Sequence, residues 1–315
     1  MNETTTRLSP GIKPHVALIA VQLIFGTWPV IGKIALRSLP ATGLVTFRVV
    51  GATLAFLMIR RVTDHVPIKR RGDYARLALY SLLGVVLNQF LFVKGLELST
   101  AINAALLGST IPIFALFVSV LLGYEKSSWR VAAGLLLAAC GVVYLINPAQ
   151  ANFSRETNIG NLILIINSLS YGAYIAISQD MIKRYGALTV ITWIFIFGSL
   201  ITLPIGGYHL AEISLASIPA GIWFAMLYII LIPTVAAYYL NAWALGRVAP
   251  SIVAIYIYLQ PLIAFAVAPL ILGEQLNSRT WLAAGLIFAG VAIVTVRARS
   301  RVIEEVSERP EALGH

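Results

Sequence analysis

Long apolar segments separated by short polar connections follow one another along almost the whole chain. A membrane-spanning helix needs roughly 20 mostly apolar residues, because the hydrocarbon core is about 30 Å thick and each helical residue rises about 1.5 Å. Segments of this kind cover residues 14–36, 42–60, 75–95, 101–123, 129–147, 160–182, 190–208, 218–241, 251–273 and 281–297. The pattern therefore predicts an all-α membrane protein with ten transmembrane helices.

The composition supports the same class. Hydrophobic residues make up 59% of the chain and charged residues 11%, against the roughly 25% charged residues of an ordinary soluble domain. So few charges cannot form a water-facing surface, which excludes a soluble globular protein. The single cysteine, Cys140, cannot form an intrachain disulfide, and the sequence offers no metal-ligand spacing. We therefore expect no cofactor and no metal.

The basic residues give an expected orientation. With ten spans, the termini and the even-numbered connections share one side, and most of the 23 Lys and Arg fall there. The exceptions are Arg37, Arg155 and Arg279 on the opposite side and Lys33, Arg48 and Lys94 within spans. Because cytoplasmic loops carry an excess of Lys and Arg, both termini are expected in the cytoplasm and the chain in the inner membrane. The net charge of +10 then reflects topology and attraction to the lipid bilayer, so no nucleic-acid partner is expected.

The chain contains an internal repeat. Shifted by 149 residues, it matches itself at Pro112 and Pro261, Glu125 and Glu274, Arg130 and Arg279, and Gly141 and Gly290. Each half would hold five spans, and an odd number inserts the second half upside down. Inverted repeats are typical of transporters, in which two halves enclose a shared central site. The sequence therefore predicts two inverted five-helix repeats.

This division predicts five regions. They are a cytoplasmic N-terminal segment (1–13), a first repeat (14–147), an external connector (148–159), a second repeat (160–297) and a cytoplasmic tail (298–315). The first apolar segment continues to about residue 36 without a small-residue cleavage pattern. We interpret it as a retained helix and not as a signal peptide.

The two repeated stretches carry a family resemblance. LELSTAINAALLGSTIPIFALFVSVLLGYEKSSWRVAAGLLLAACGV and LGRVAPSIVAIYIYLQPLIAFAVAPLILGEQLNSRTWLAAGLIFAGV resemble the paired EamA domains of the drug/metabolite transporter superfamily. FGTWPVIGKIAL and the Arg48 of TFRVV also look like that family's first two helices. The resemblance implies ten helices, cytoplasmic termini, a central cavity and secondary transport of metabolites, often as export. It does not name the cargo.

Cations within spans are candidates for substrate contact, since ionisable residues in a membrane are costly and usually face the bundle interior. Lys33 and Arg48 fall towards the outer face, where they would attract a carboxylate or phosphate. Arg offers a planar bidentate fork for such groups. The alternative is structural: Lys33 would extend to the interface, and Arg48 would bind backbone carbonyls or pair with Glu97.

Polar and aromatic residues near mid-depth are further candidates for binding the substrate. They are Trp28, Asn88, Gln89, Asn103, Tyr171, Tyr174, Trp193, Tyr238, Tyr256 and Gln260. Tyr256 and Gln260 stand four residues apart and would share one face of the ninth helix. The alternative again is structural, because Trp and Tyr form interfacial belts and amides bridge helices.

Four residues of the repeat are interpreted as structural. Pro112 and Pro261 lie in the middle of the fourth and ninth spans, and Glu125 and Glu274 lie at the ends of these spans. A carboxylate there would cap the following helix through free backbone N–H groups. The alternative, a proton relay, is disfavoured because relays use carboxylates deeper in the membrane.

The leading hypothesis is a secondary transporter that moves a small-molecule substrate, an amino acid, organic acid or related anion or zwitterion, by alternating access and as an exporter. Coupling to a proton or a counter-substrate stays open. One alternative is multidrug efflux, disfavoured for cationic drugs because no Asp or Glu occurs between His15 and Thr63. A non-transporting membrane scaffold is another. An enzyme is not expected, since the spans contain no paired aspartates and no Ser with His.

Overall fold

The computed structural model describes residues 12–63, 65–123, 155–211, 218–248 and 256–290, with single residues between 129 and 144 and residues 253 and 293. Within these ranges the chain is helical and contains no strand. The helices are α1 (Ile12–Ala35), α2 (Ala41–Val62), α3 (Arg71–Leu98), α4 (Ala101–Gly108), α5 (Ile111–Leu121), α6 (Arg155–Tyr185), α7 (Ala187–Ala211), α8 (Ala220–Leu245), α9 (Leu259–Leu272) and α10 (278–290).

Seven stretches of the described residues are long and apolar enough to cross a membrane. They are α1, α2, α3, the pair α4–α5, α6, α7 and α8, and α9 is a shorter apolar helix. The predicted class of an all-α membrane protein is therefore confirmed. The predicted fifth span (129–147) and the end of the tenth lie largely outside the described residues, so the count of ten stays a prediction.

Several helices, among them α2, α3, α6 and α7, extend beyond the predicted spans at both ends, because hydropathy marks only the apolar part of a helix. Residues of the predicted connector 148–159 are already helical from Arg155, where α6 begins. A single residue, Gly186, joins α6 to α7, with φ of 78° in the left-handed region that glycine adopts without strain.

The fourth and ninth spans are interrupted at corresponding places. Turn residues Ser109 and Thr110 separate α4 from α5, and turn residues Ile257 and Tyr258 precede α9. Pro112 and Pro261, predicted to lie in mid-helix, instead lie in the first turn of α5 and of α9. A proline there loses nothing, because the first N–H groups of a helix have no intrahelical partner.

Two π-helical turns repeat with the same spacing. They occupy Leu82–Leu87 in α3 and Leu231–Ala236 in α8, which are 149 residues apart. The sequence match begins only near Leu96, so the backbone repeat extends further than the side-chain repeat. Single π-turns inside α-helices frequently lie at functional sites.

The helix packing is arranged in corresponding pairs. α1 packs against α8 and α9, and its counterpart α6 packs against α3 and the α4–α5 pair. The counterparts α2 and α7 pack against each other. Exchanging the two halves maps these contacts onto one another, so the described helices are arranged about an approximate two-fold axis.

Candidate substrate cavity

A cavity lies where the two halves meet. It is lined by Gln22, Phe25, Trp28, Arg48, Asn88, Gln89, Phe92, Gly108, Ile111, Asn167, Tyr171, Tyr238, Asn241, Ile257 and Gln260. The volume that the centre of a water molecule can occupy in it is about 60 Å³. A water needs roughly 10–15 Å³ by this measure, so the cavity has room for about four to six waters.

Ten of the lining residues form five pairs that are each 149 positions apart. The pairs are Gln22 and Tyr171, Gln89 and Tyr238, Phe92 and Asn241, Gly108 and Ile257, and Ile111 and Gln260. Gln89 also donates directly to its counterpart Tyr238, at 2.7 Å. Two equivalent residues can touch only near the axis that relates them. The cavity therefore lies on the approximate two-fold axis, with each half supplying one wall.

Arg48 is the charged group of the cavity, and only 2% of its surface is exposed. Its Nε donates to the Thr234 hydroxyl at 2.6 Å, and its terminal nitrogens donate to Gln89 Oε1 at 2.6 Å and to the Pro233 carbonyl at 3.3 Å. Two of these acceptors belong to the π-turn of α8, where Thr234 itself donates to the Ile229 carbonyl. The guanidinium is therefore held in the irregular turn of the opposite half.

The acceptors around Arg48 are all neutral, since neither an Asp nor a Glu is bonded to it in the described ranges. Its guanidinium carbon lies 4.0 Å from the centre of the Trp28 ring, whose π face attracts a cation. Trp28 in turn stacks on Phe92, with ring centres 6.0 Å apart. The charge is thus stabilised by dipoles and an aromatic face, with no ion pair.

Amides and phenols form the rest of the polar lining. Gln260 donates to Gln22 at 2.6 Å and joins α9 to α1. Asn241 donates to the Tyr171 hydroxyl at 3.3 Å and joins α8 to α6. These groups supply both donors and acceptors, and the described lining contains no carboxylate. The cavity is therefore electropositive and suits a polar molecule with a negative group.

The comparison with known proteins places this architecture in a family. The profile of the EamA-like transporter family matches residues 12–147 and again residues 158–296. The chain belongs to the EamA-like transporter family. The predicted resemblance and the two-repeat membrane fold are therefore confirmed.

Relatives of this EamA-like transporter occur in bacteria, archaea and plants. The uncharacterized transporter YetK of Bacillus subtilis is 24% identical, over 90% of this chain and 87% of its own. An uncharacterized transporter of Archaeoglobus fulgidus is 25% identical, over 90% and 98%. The WAT1-related protein At3g18200 of Arabidopsis thaliana is 25% identical, over 97% and 88%. The family, the two relatives named as transporters and the apolar helices of this chain together indicate a multi-pass membrane transporter.

A solved crystal structure shares the fold. It superimposes with a TM-score of 0.60 and 19% identity, over 91% of this chain and 98% of its own. At this identity the likeness speaks for the architecture alone.

The cavity of the EamA-like transporter brings together seven of the predicted substrate residues. These are Trp28, Arg48, Asn88, Gln89, Tyr171, Tyr238 and Gln260. The other five, Lys33, Asn103, Tyr174, Trp193 and Tyr256, lie outside its lining. Contact with a substrate stays a prediction for all of them.

Lys33 and Arg48 do not form a joint cationic lining. Lys33 Nζ donates to the Glu97 backbone carbonyl at 3.3 Å, and the Glu97 carboxylate pairs with Lys94. The expected alternative pairing of Arg48 with Glu97 is therefore wrong, whereas its bond to a backbone carbonyl is present. Asn103 also has structural contacts, because its amide donates to Ser99 and Asn161.

Three aromatic candidates fill helix interfaces. Tyr174 packs against Gly84 in the π-turn of α3, and Trp193 meets Tyr74 edge-on with ring centres 4.9 Å apart. Tyr256 forms a 2.7 Å hydrogen bond with His15. Tyr256 and Gln260, predicted to share one helical face, are separated by the turn at Ile257 and Tyr258, and only Gln260 lines the cavity.

The carboxylate of Glu274 caps a helix, but not the following one. Its two oxygens accept the backbone N–H groups of Ala101 at 2.7 Å and Ile102 at 2.9 Å. Glu274 therefore caps α4, which belongs to the other half. The predicted capping is present with a different helix, because the halves interlock at this end. The counterpart Glu125 lies outside the described residues.

Five polar or aromatic lining residues were not predicted. They are Gln22, Phe25, Phe92, Asn167 and Asn241. The repeat offers a signal for one of them, because Gln22 is the counterpart of the predicted Tyr171.

Proposed function

We propose that this EamA-like transporter is a secondary transporter that exports small anionic or zwitterionic metabolites, organic acids and amino acids among them, by alternating access. The observation that carries the proposal is the buried Arg48, which has no acidic partner in the described ranges. The neutral contacts of Arg48 leave its positive charge without a counter-ion, so a cargo carboxylate that enters the cavity completes the site. A cationic drug would find no counter-charge in the cavity, because the described lining has no carboxylate.

The size of the cavity supports movement of the two halves. Room for a few waters is too small for an organic acid or amino acid, so cargo requires a wider state. Both interrupted spans border the cavity, through Gly108 and Ile111 in one half and Ile257 and Gln260 in the other. In inverted-repeat transporters, interrupted helices at the interface of the two repeats typically form the substrate site, and the halves rock around it.

The proposed topology has ten spans, with residues 14–147 and 160–297 as oppositely inserted repeats in the inner membrane. Both termini lie in the cytoplasm, since basic residues concentrate at the helix ends assigned to that side. The export direction and a proton or counter-substrate coupling belong to the proposal. Imposing gradients of pH or of unlabelled solute on the transport assay separates these modes.

The test is transport by purified protein in liposomes. The wild type should move radiolabelled organic acids or amino acids, and Arg48→Gln should lower the rate by about tenfold or more, the effect of losing roughly 1.4 kcal/mol of binding to the anion. Arg76→Gln is the matched control, because Arg76 lies outside the cavity and its side chain is 55% exposed. If no carboxylate moves, or if Arg48→Gln transports like the control, the proposal is wrong.

A further inference from the structure

A continuous line of hydrogen bonds leads from Arg48 across the cavity wall. Arg48 donates to Gln89 Oε1 at 2.6 Å, and Gln89 Nε2 donates to the Tyr238 hydroxyl at 2.7 Å. Tyr238 donates to Asn88 Oδ1 at 2.9 Å, and Asn88 Nδ2 donates to Asn167 Oδ1 at 2.9 Å. The line thus joins α2, α3, α8 and α6.

The direction of every bond in this line follows from its first member. A guanidinium has no acceptor, so Gln89 must turn its oxygen to Arg48 and its nitrogen to Tyr238. The Tyr238 oxygen then accepts, and its single proton goes to the nearer of two acceptors, which is the Asn88 oxygen at 2.9 Å and not the Gly84 carbonyl at 3.4 Å. Asn88 is left with its nitrogen for Asn167, which must therefore present its oxygen. The positive charge of Arg48 therefore fixes the orientation of the three side-chain amides in the line.

The line ends at the amide nitrogen of Asn167. This residue is only 2% exposed and lines the cavity, and no acceptor for its Nδ2 lies in the described ranges. Aligned hydrogen bonds polarise one another in a low-dielectric interior, so the terminal N–H groups become stronger donors. The cavity consequently has a second electropositive point, connected to Arg48 but on α6.

We propose that Asn167 is a specificity-determining residue that binds a second oxygen of the cargo. This inference rests on the proposed function and narrows its substrate class. Arg48 takes the carboxylate through the two of its five N–H groups that have no bond to the described residues. Asn167 takes a hydroxyl, oxo or second carboxylate oxygen. The preferred cargo is thus a hydroxy-, oxo- or dicarboxylic acid, over a plain monocarboxylic acid of the same length.

The test compares transport of two probes, a dicarboxylic acid and the monocarboxylic acid of equal chain length, in liposomes. The wild type should prefer the dicarboxylic acid by about tenfold, the effect of one hydrogen bond to a charged group. Asn167→Asp should abolish this preference. Its carboxylate still accepts from Asn88 but offers no donor and repels an anion. A melting temperature close to that of the wild type, measured in detergent, shows that the variant is folded.

Asn161→Asp is the matched control. Asn161 lies on the same helix, is 1% exposed, accepts bonds from Ser99 and Asn103, and does not line the cavity. This variant should keep the wild-type preference. If the wild type transports carboxylic acids and Asn167→Asp keeps the preference, the role of Asn167 is refuted and the proposed function stands. If the wild type transports none, both proposals are refuted.

Discussion

Arg48 shows how a single buried charge can organise a membrane cavity. An arginine at the centre of a spanning helix costs about 2.5–3.5 kcal/mol on insertion scales, whereas each hydrogen bond to a charged group returns about 1.5–3 kcal/mol. Its three bonds and the Trp28 face offset that cost without an acidic partner. The positive charge therefore remains available to a bound anion.

Gln89→Glu tests whether transport depends on an Arg48 charge that is free to bind an anion. The new carboxylate would lie where Gln89 Oε1 now accepts from Arg48, and it would supply a permanent counter-charge. We expect transport of carboxylic acids to fall by about tenfold or more, with a melting temperature close to that of the wild type, because the attraction to Arg48 offsets the desolvation of the new carboxylate. Liposome uptake and thermal unfolding in detergent measure the two effects. Gln275→Glu, at an exposed position, changes the net charge equally and should alter neither. Undiminished transport by Gln89→Glu would contradict this role of Arg48.

The sequence predicts which residues lie within the membrane better than it predicts which way their side chains face. Hydropathy located Arg48, Gln89 and Tyr238 within spans, and these residues do reach the cavity. It could not separate them from Trp193, which also falls within a predicted span but packs against Tyr74. Direction depends on which helices are neighbours and where the helical ladder is interrupted. Neither is encoded in local periodicity.

At the level of elements, irregular helix segments concentrate next to the cavity. The π-turns of α3 and α8 end just before Asn88 and Ala237, so they determine the directions of Gln89 and Tyr238. The interruptions of the fourth and ninth spans bring Gly108 and Ile257 to the lining. In the sequence, Pro112 and Pro261 mark the positions of these interruptions. No residue pattern marks the π-turns.

Gly160→Ala tests the close packing of α3 on α6, which positions Asn88 beside Asn167. A β-carbon on Gly160 would lie 2.9 Å from the Gly95 carbonyl oxygen, and backbone atoms cannot give way cheaply. We expect a loss of about 1–3 kcal/mol in the free energy of unfolding, seen as a lower melting temperature of the purified protein. Gly207→Ala in α7 is the control, since no atom lies within 4 Å of its β-carbon position and alanine favours a helix. Equal melting temperatures for the two variants would contradict the close α3–α6 packing.

At the scale of the whole molecule, two halves with a nearly symmetric backbone arrangement enclose a cavity whose side chains differ between the halves. The π-turns and five pairs of lining residues repeat at 149 residues, and the interrupted spans repeat within one residue of that spacing. The chemistry does not repeat, because the counterpart of Arg48 is Phe197 and the counterpart of Gln89 is Tyr238. Matching Pro, Glu and Gly residues reveal the repeated backbone arrangement in the sequence. The cavity's charge could not be derived from the repeat, because it depends on the positions at which the halves differ.

Opposite insertion of the two halves predicts which loops a membrane-impermeant maleimide reaches. In a Cys140→Ser background, which removes the only native cysteine, single cysteines at Arg37 and Gln275 should be labelled from outside intact cells. Cysteines at His65 and Lys183 should react only after the membrane is opened, because ten spans place these exposed residues in the cytoplasm. Arg37 and His65 belong to the first half, and Lys183 and Gln275 to the second, so each half has its own inner and outer reporter. If Gln275 and Lys183 exchange sides while Arg37 and His65 behave as expected, the halves share one orientation. Rocking about a common two-fold axis would then be impossible.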